Sequence, residues 1–104
     1  MCGRYVLKAT LQELQQKYGA VPEGTFTIEE NYNVAPSLHM PVIVQQGDQR
    51  KIDKYRWGLI PFWAKEINSG YSMINARAES LEQKKSYAHP FKSKRCVVPV
   101  SGFY

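Results

Sequence analysis

Apolar and polar positions change spacing several times along the chain, and each change marks an element. Arg4-Tyr5-Val6-Leu7 reads as a short strand. Thr10 and Glu13 then stand three apart ahead of Leu11, Leu14 and Tyr18. This is a capping-box pattern on a short amphipathic helix that ends at Gly19. Pro22 to Gly24 reads as loop. Asn31-Tyr32-Asn33-Val34-Ala35-Pro36-Ser37 has little periodicity and a proline near its end, so it predicts an extended, irregular segment. Met40 to Gln45 and Lys51 to Tyr55 flank Gly47-Asp48 and predict a hairpin. In Trp57-Gly58-Leu59-Ile60-Pro61-Phe62-Trp63, Trp57 closes a strand and is expected in the core. Trp63, past a proline, is expected in a loop, where an open indole makes a stacking platform for a base. Tyr71 to Asn75 predicts a strand that leads into Asn75-Ala76-Arg77-Ala78-Glu79. Glu79, Leu81 and Glu82 start a further short helix, and Arg95 to Val100 reads as a buried strand. No internal repeat, low-complexity tract or linker interrupts the chain.

Composition narrows the class. At 104 residues the chain makes at most one small domain. Its 43% hydrophobic and 22% charged content is that of an ordinary globular protein, which excludes a disordered segment. No apolar run approaches the ~20 residues of a membrane span, and the start lacks the layout of a signal peptide. A cytoplasmic protein is expected, nucleoid-associated if bacterial. Cys2 and Cys96 are too few to build a zinc site by themselves and read as free thiols. No metal or cofactor is expected.

The net charge of +5 is localised. From Gln83 to Tyr104 there is no acidic residue, but there are Lys84, Lys85, Lys92, Lys94 and Arg95; the other nine bases are matched by nine acids. With Tyr87 and Phe91 between them, these five suit either a phosphate backbone or a solvated basic loop.

The most distinctive chemistry is at the start, Met1-Cys2-Gly3-Arg4-Tyr5. Initiator methionine is removed before a small residue, and its loss leaves an α-amine and a thiol on adjacent carbons of Cys2. The α-amine, with a pKa near ~7.7–8.0, is about a tenth free base at neutral pH, far more than a lysine of pKa ~10.4. An aldehyde meeting this pair forms an imine, and the thiol then closes a thiazolidine ring in an intramolecular step of high effective molarity. A terminal cysteine also attacks amide carbons with its own amine as base.

Five stretches in order, Met1 to Arg4, Asn33 to Pro36, Trp57 to Pro61 with Trp63, Asn75 to Glu79, and Arg95-Cys96 through Ser101-Gly102-Phe103-Tyr104, resemble the SOS-response-associated peptidase (SRAP) family. The resemblance implies an α+β fold with a curved, barrel-like mixed sheet and short flanking helices. It also implies a groove for single-stranded DNA, removal of Met1, self-catalysed in a peptidase reaction, and covalent capture of abasic sites by Cys2. An abasic site is partly an open-chain aldehyde, the electrophile that a 1,2-aminothiol traps. By resemblance, Cys2 is the nucleophile and Asn75 holds its terminus through an amide that donates and accepts without titrating. Arg4 and Arg77 resemble phosphate clamps, since guanidinium forks match phosphate oxygens. Trp63, with Asn33 and Pro36, resembles the surface against which bases unstack, and Lys92, Lys94 and Arg95 extend the basic track. Cys96 resembles a packed strand residue; His39 and His89 are expected on the surface.

In the family, a glutamate follows the Phe-Tyr pair and a histidine lies much further along; the sequence ends at Tyr104. The expectation is therefore the N-terminal half of one SRAP-like domain spanning residues 1–104, apparently truncated. Unpaired strand edges and apolar surface would then favour self-association or pairing with a C-terminal half. Two other classes fit parts of the pattern. One is an N-terminal-nucleophile amidotransferase or hydrolase using Cys2, which the blocks at Trp57–Trp63 and Asn75–Glu79 do not suggest. The other is a DNA-binding fragment whose Cys2 is idle.

Overall fold

The computed structural model describes residues 2–66 and 73–104. Its first element, β1 (Tyr5–Leu7), is followed by α1 (Leu11–Tyr18), whose two ends are set by local chemistry. Thr10 Oγ1 accepts from the Glu13 N–H at 3.1 Å while the Thr10 N–H donates to Glu13 Oε1 at 3.3 Å. This reciprocal pair satisfies two otherwise orphaned donors. Glu13 in the first turn and Lys17 in the last complement the helix dipole. Gly19, at φ 58° and ψ 43°, ends the helix in the left-handed region and donates to the Gln15 carbonyl.

Two three-stranded sheets follow. One has the order β2 (Ala20–Pro22), β5 (Gln49–Arg56), β4 (His39–Gln46); the other has β3 (Asn31–Val34), β1, β6 (Gly102–Phe103). The β4–β5 hairpin runs in register from His39↔Arg56 to Gln46↔Gln49 around Gly47, whose φ is 62°. Strand β2 pairs parallel to β5, from Ala20↔Arg50 to Pro22↔Ile52. At the end of β3 the chain turns through Ser37, at φ 79°, whose N–H donates to the Trp57 carbonyl at 2.9 Å. Two small cores form. Tyr5, Leu7, Val34 and Met40 make one; Leu14, Ala20, Ile43 and Ile52 make the other under α1. Ala9 and Ile28 touch both and join them.

The α+β class, the capped helix and the hairpin stand as expected. The strands divide between two small sheets. Asn31–Val34, expected to be irregular, pairs antiparallel with β1, and Pro22 closes a strand at a sheet edge, where its missing N–H costs no ladder bond. Trp57 is half-buried against Tyr5, ring centroids 5.5 Å apart.

Other expectations need correction. Of the strand expected at Tyr71–Asn75, Tyr71 and Ser72 lie outside the described residues and 73–75 form no strand, although the Leu59 N–H bonds the Met73 carbonyl at 3.0 Å. The helix expected from Glu79 is one 3-10 turn, Ala78–Ser80. The basic stretch instead forms α2 (Lys85–Ser93), with Tyr87, Ala88 and Phe91 at helical spacing; Pro90 inside it disguises the period. Arg95 to Val100 is not a buried strand. Val97 makes one isolated bridge to Ile43, and Val97, Val98 and Val100 are 53%, 46% and 49% exposed. Only Pro99 in that stretch is buried. Composition reports an apolar face but not whether another element covers it.

Candidate active site

Strand β1 holds the chain start in the middle of its sheet. Tyr5 pairs with Val34 on one side and Phe103 on the other, and the Val6 carbonyl accepts from the Ser101 N–H at 2.7 Å. The Lys8 N–H donates to Ser101 Oγ at 2.8 Å. Three residues before this clamp, Cys2 is exposed, its thiol 3.7 Å from the Arg4 carbonyl.

Cys2 opens on a cavity of about 690 Å³ whose wall includes Tyr5, Arg56, Trp57, Asn75 and Cys96. Met40, Val42, Leu59, Ile60, Val98 and Val100 give it a largely apolar lining. Asn75, far along the chain, thus lines the same cavity as Cys2. Its backbone carbonyl accepts the Tyr87 hydroxyl at 3.1 Å, a tie from α2. On its other side Asn75 borders a second hollow, of about 490 Å³, with Ala76, Arg77, Lys84 and Tyr87. Arg77 and Cys2 therefore face neighbouring hollows that share Asn75. Arg4 is exposed and bonds the Gly3 carbonyl at 2.7 Å.

Trp63 is 45% exposed, edge-on to Phe62 at 5.0 Å between centroids. Lys85 Nζ stands 4.7 Å from the Trp63 ring centre, so a cation sits against the proposed stacking face. Phe62, 81% exposed, is the more open ring and was missed by sequence reasoning; its signal was the position beside Pro61. Asn33 lies on β3, at the opposite sheet edge from Phe103, and Pro36 lies just beyond β3. Neither they nor Trp63 line the Cys2 cavity. Lys92, Lys94 and Arg95 are exposed at the end of α2, Arg95 4.7 Å over the Phe91 ring. His39 and His89 are on the surface, as expected.

Burial, and next the neighbouring Cys2, push the Tyr5 phenol above its ordinary pKa, so a neutral hydroxyl adjoins the thiol. Cys96 was expected to be packed in a strand. It is exposed on the same cavity as Cys2, yet the protein atoms around it push its thiol pKa up. A thiol held protonated is a weak nucleophile. Among the described residues, no group of three or more His, Cys, Asp or Glu gathers to hold a metal ion. Among them also, no helix is long and apolar enough to cross a membrane.

The family model described as SOS response associated peptidase (SRAP) matches residues 1–104. Abasic site processing protein YoqW of Bacillus subtilis is 43% identical over 107 aligned residues, covering 100% of this chain and 47% of that protein. Abasic site processing protein HMCES of Xenopus tropicalis is 34% identical over 88, covering 73% and 26%. A crystal structure of a protein from Bacteroides thetaiotaomicron superposes with a TM-score of 0.80 at 25% identity, covering 98% of this chain and 47% of that one. One from Bordetella bronchiseptica, at 19% identity and a TM-score of 0.75, shares the fold. The chain spans about half the length of YoqW.

Proposed function

We propose, for a chain that belongs to the SOS response associated peptidase (SRAP) family, that it binds single-stranded DNA and captures abasic sites covalently through Cys2. The observation that carries the reading is one cavity shared by an exposed Cys2 and Asn75, beside an Arg77 hollow. The names of the relatives, abasic site processing proteins, support the same target. Residues 1–104 then act as the N-terminal part of a single domain.

Removal of Met1, self-catalysed as the family's peptidase name implies, frees the Cys2 amine. Its nitrogen lone pair attacks C1′ of the open-chain sugar, a proton passes from nitrogen to oxygen, and water leaves to give an imine. The Cys2 thiol adds across that bond: sulfur joins C1′ and the proton goes to nitrogen, closing a thiazolidine. Asn75 makes no side-chain hydrogen bond among the described residues, so its amide is available to orient the amine. The neutral Tyr5 hydroxyl next to the thiol is a donor for the sugar oxygen as it gains charge. Arg4 and Arg77 take phosphates, and the Trp63–Lys85 pair receives an unstacked base.

Intact mass spectrometry tests this, before and after incubation with a single-stranded oligonucleotide carrying one abasic site. Loss of Met1 and a DNA adduct that survives denaturation, absent in Cys2→Ala, are expected. Methionine loss without an adduct would leave only DNA binding. Retained Met1 with no adduct would remove the capture reading. Release of ammonia from glutamine would favour an amidotransferase instead.

A further inference from the structure

Arg56 is the last residue of β5, in register with His39. It is half-buried in the wall of the Cys2 cavity, yet among the described residues its guanidinium makes one hydrogen bond, a long one, 3.5 Å from Nη1 to the Gly58 carbonyl. Among the described residues, the one ion pair within 4.0 Å joins Lys51 and Glu23, so no carboxylate answers the Arg56 charge. A guanidinium has five N–H donors and stays charged at every physiological pH. Placing it against a mostly apolar lining without an anion is unfavourable, because the wall withdraws water from the cation.

We propose that Arg56 is a phosphate-binding residue inside the cavity, holding a phosphodiester next to the sugar that Cys2 attacks. The inference rests on the reading above and deepens it. Chemistry favours this ligand: an abasic nucleotide has lost its base, so its remaining charged handles are the two flanking phosphates. Arg4 and Arg77 lie outside the cavity wall, one on the strand's open approach and one in the neighbouring hollow. Arg56 shares the wall with Cys2 itself, so a phosphate on its fork fixes the sugar relative to the amine and thiol. An arginine suits this better than a lysine, because two parallel N–H bonds orient as well as attract.

The test uses a single-stranded oligonucleotide bearing a tetrahydrofuran site, an abasic analogue with no aldehyde, titrated over a series of salt concentrations. Losing one phosphate contact from a single strand lowers the log–log salt slope by about 0.7. Arg56→Gln is expected to show that drop and to bind on the order of tenfold more weakly at low salt. Arg56→Lys is expected to keep the slope and lose part of the affinity. Phenylglyoxal labelling of the unaltered protein is a second readout that does not depend on a variant folding. Bound oligonucleotide should protect Arg56, as mapped by peptide mass; inorganic phosphate alone, as the control probe, should protect only at far higher concentration.

An unchanged slope in a folded Arg56→Gln, or no protection by DNA, overturns the assignment. If the unaltered protein still forms its Cys2 adduct in that case, the capture reading stands without Arg56. If Arg56 sets the slope but no adduct forms with aldehyde-bearing DNA, the phosphate site stands and capture falls. If the unaltered protein neither binds nor is protected, both fall.

Discussion

Ile43 sits between two partners, Ile52 across the β4–β5 ladder and Val97 through an isolated bridge. Sequence pattern makes both partners core residues; the structure buries Ile52 completely, at 0% exposed, and leaves Val97 53% exposed. Truncating each to alanine separates these descriptions. Ile52→Ala deletes three carbons, a transfer loss of about 2.4 kcal/mol at ~0.8 per buried methylene. The cavity left among Leu14, Ala20 and Ile43 brings the expected cost to about 3–4 kcal/mol. A chain of this length has a total stability of roughly 5–15 kcal/mol, so the change consumes a large share of it. Val97→Ala should fall within about 0.5 kcal/mol of no effect, as open positions do. Urea unfolding followed by the fluorescence of Trp57 and Trp63 measures both. A cost above about 2 kcal/mol for Val97→Ala, or below about 1 for Ile52→Ala, would refute the burial assignment.

Four further outcomes follow from other parts of the molecule. Thr10→Ala removes one half of the capping box on α1 and should cost about 1 kcal/mol in the same unfolding assay; Thr10→Asp should restore most of it. Trp63→Ala should weaken binding to a single-stranded oligonucleotide by about 1–3 kcal/mol while leaving stability nearly unchanged, read by fluorescence anisotropy. Burial keeps Tyr5 neutral, so its folded pKa lies above the ~10 of an unfolded tyrosine. That contribution to stability is full below pH ~10 and is lost as pH rises through the folded value. Tyr5→Phe should therefore flatten the alkaline decline of the melting temperature, and superimposable profiles would contradict the assignment. The open Val98, Val100, Phe103 and Tyr104 should make the protein self-associate. Sedimentation velocity should show a coefficient that rises with concentration and falls back in Phe103→Lys; a monomer at every concentration would show that face to be idle.

How much was legible depends on the distance over which each signal acts. The ends of α1 are decided by bonds spanning three or four residues, Thr10 with Glu13 and Gly19 with Gln15, and those are visible in the order of residues. The hairpin is equally local, because Gly47 supplies the positive φ of the turn between the apolar run of β4 and the mostly polar β5. Helix α2 was missed although its spacing is also local. Pro90 reads as a breaker, yet it removes only one helical hydrogen bond, and Lys94 still bonds its carbonyl at 2.8 Å.

The sequence by itself determined the chemistry on offer: a cysteine second in the chain, able to present an amine and a thiol together, and five ordered stretches that mark the family. Those follow from residue identity and need no fold. Only the tertiary structure decided which groups share a cavity. Asn75 and Arg56 line one cavity with Cys2 because β1 lies between β3 and β6 while β5 and the segment near Asn75 close the cavity wall. Only the tertiary structure, likewise, separated Ile52 from Val97, residues of similar hydrophobicity on either side of Ile43. Burial is a property of what lies opposite a side chain, and strand pairing over long sequence separations settles that.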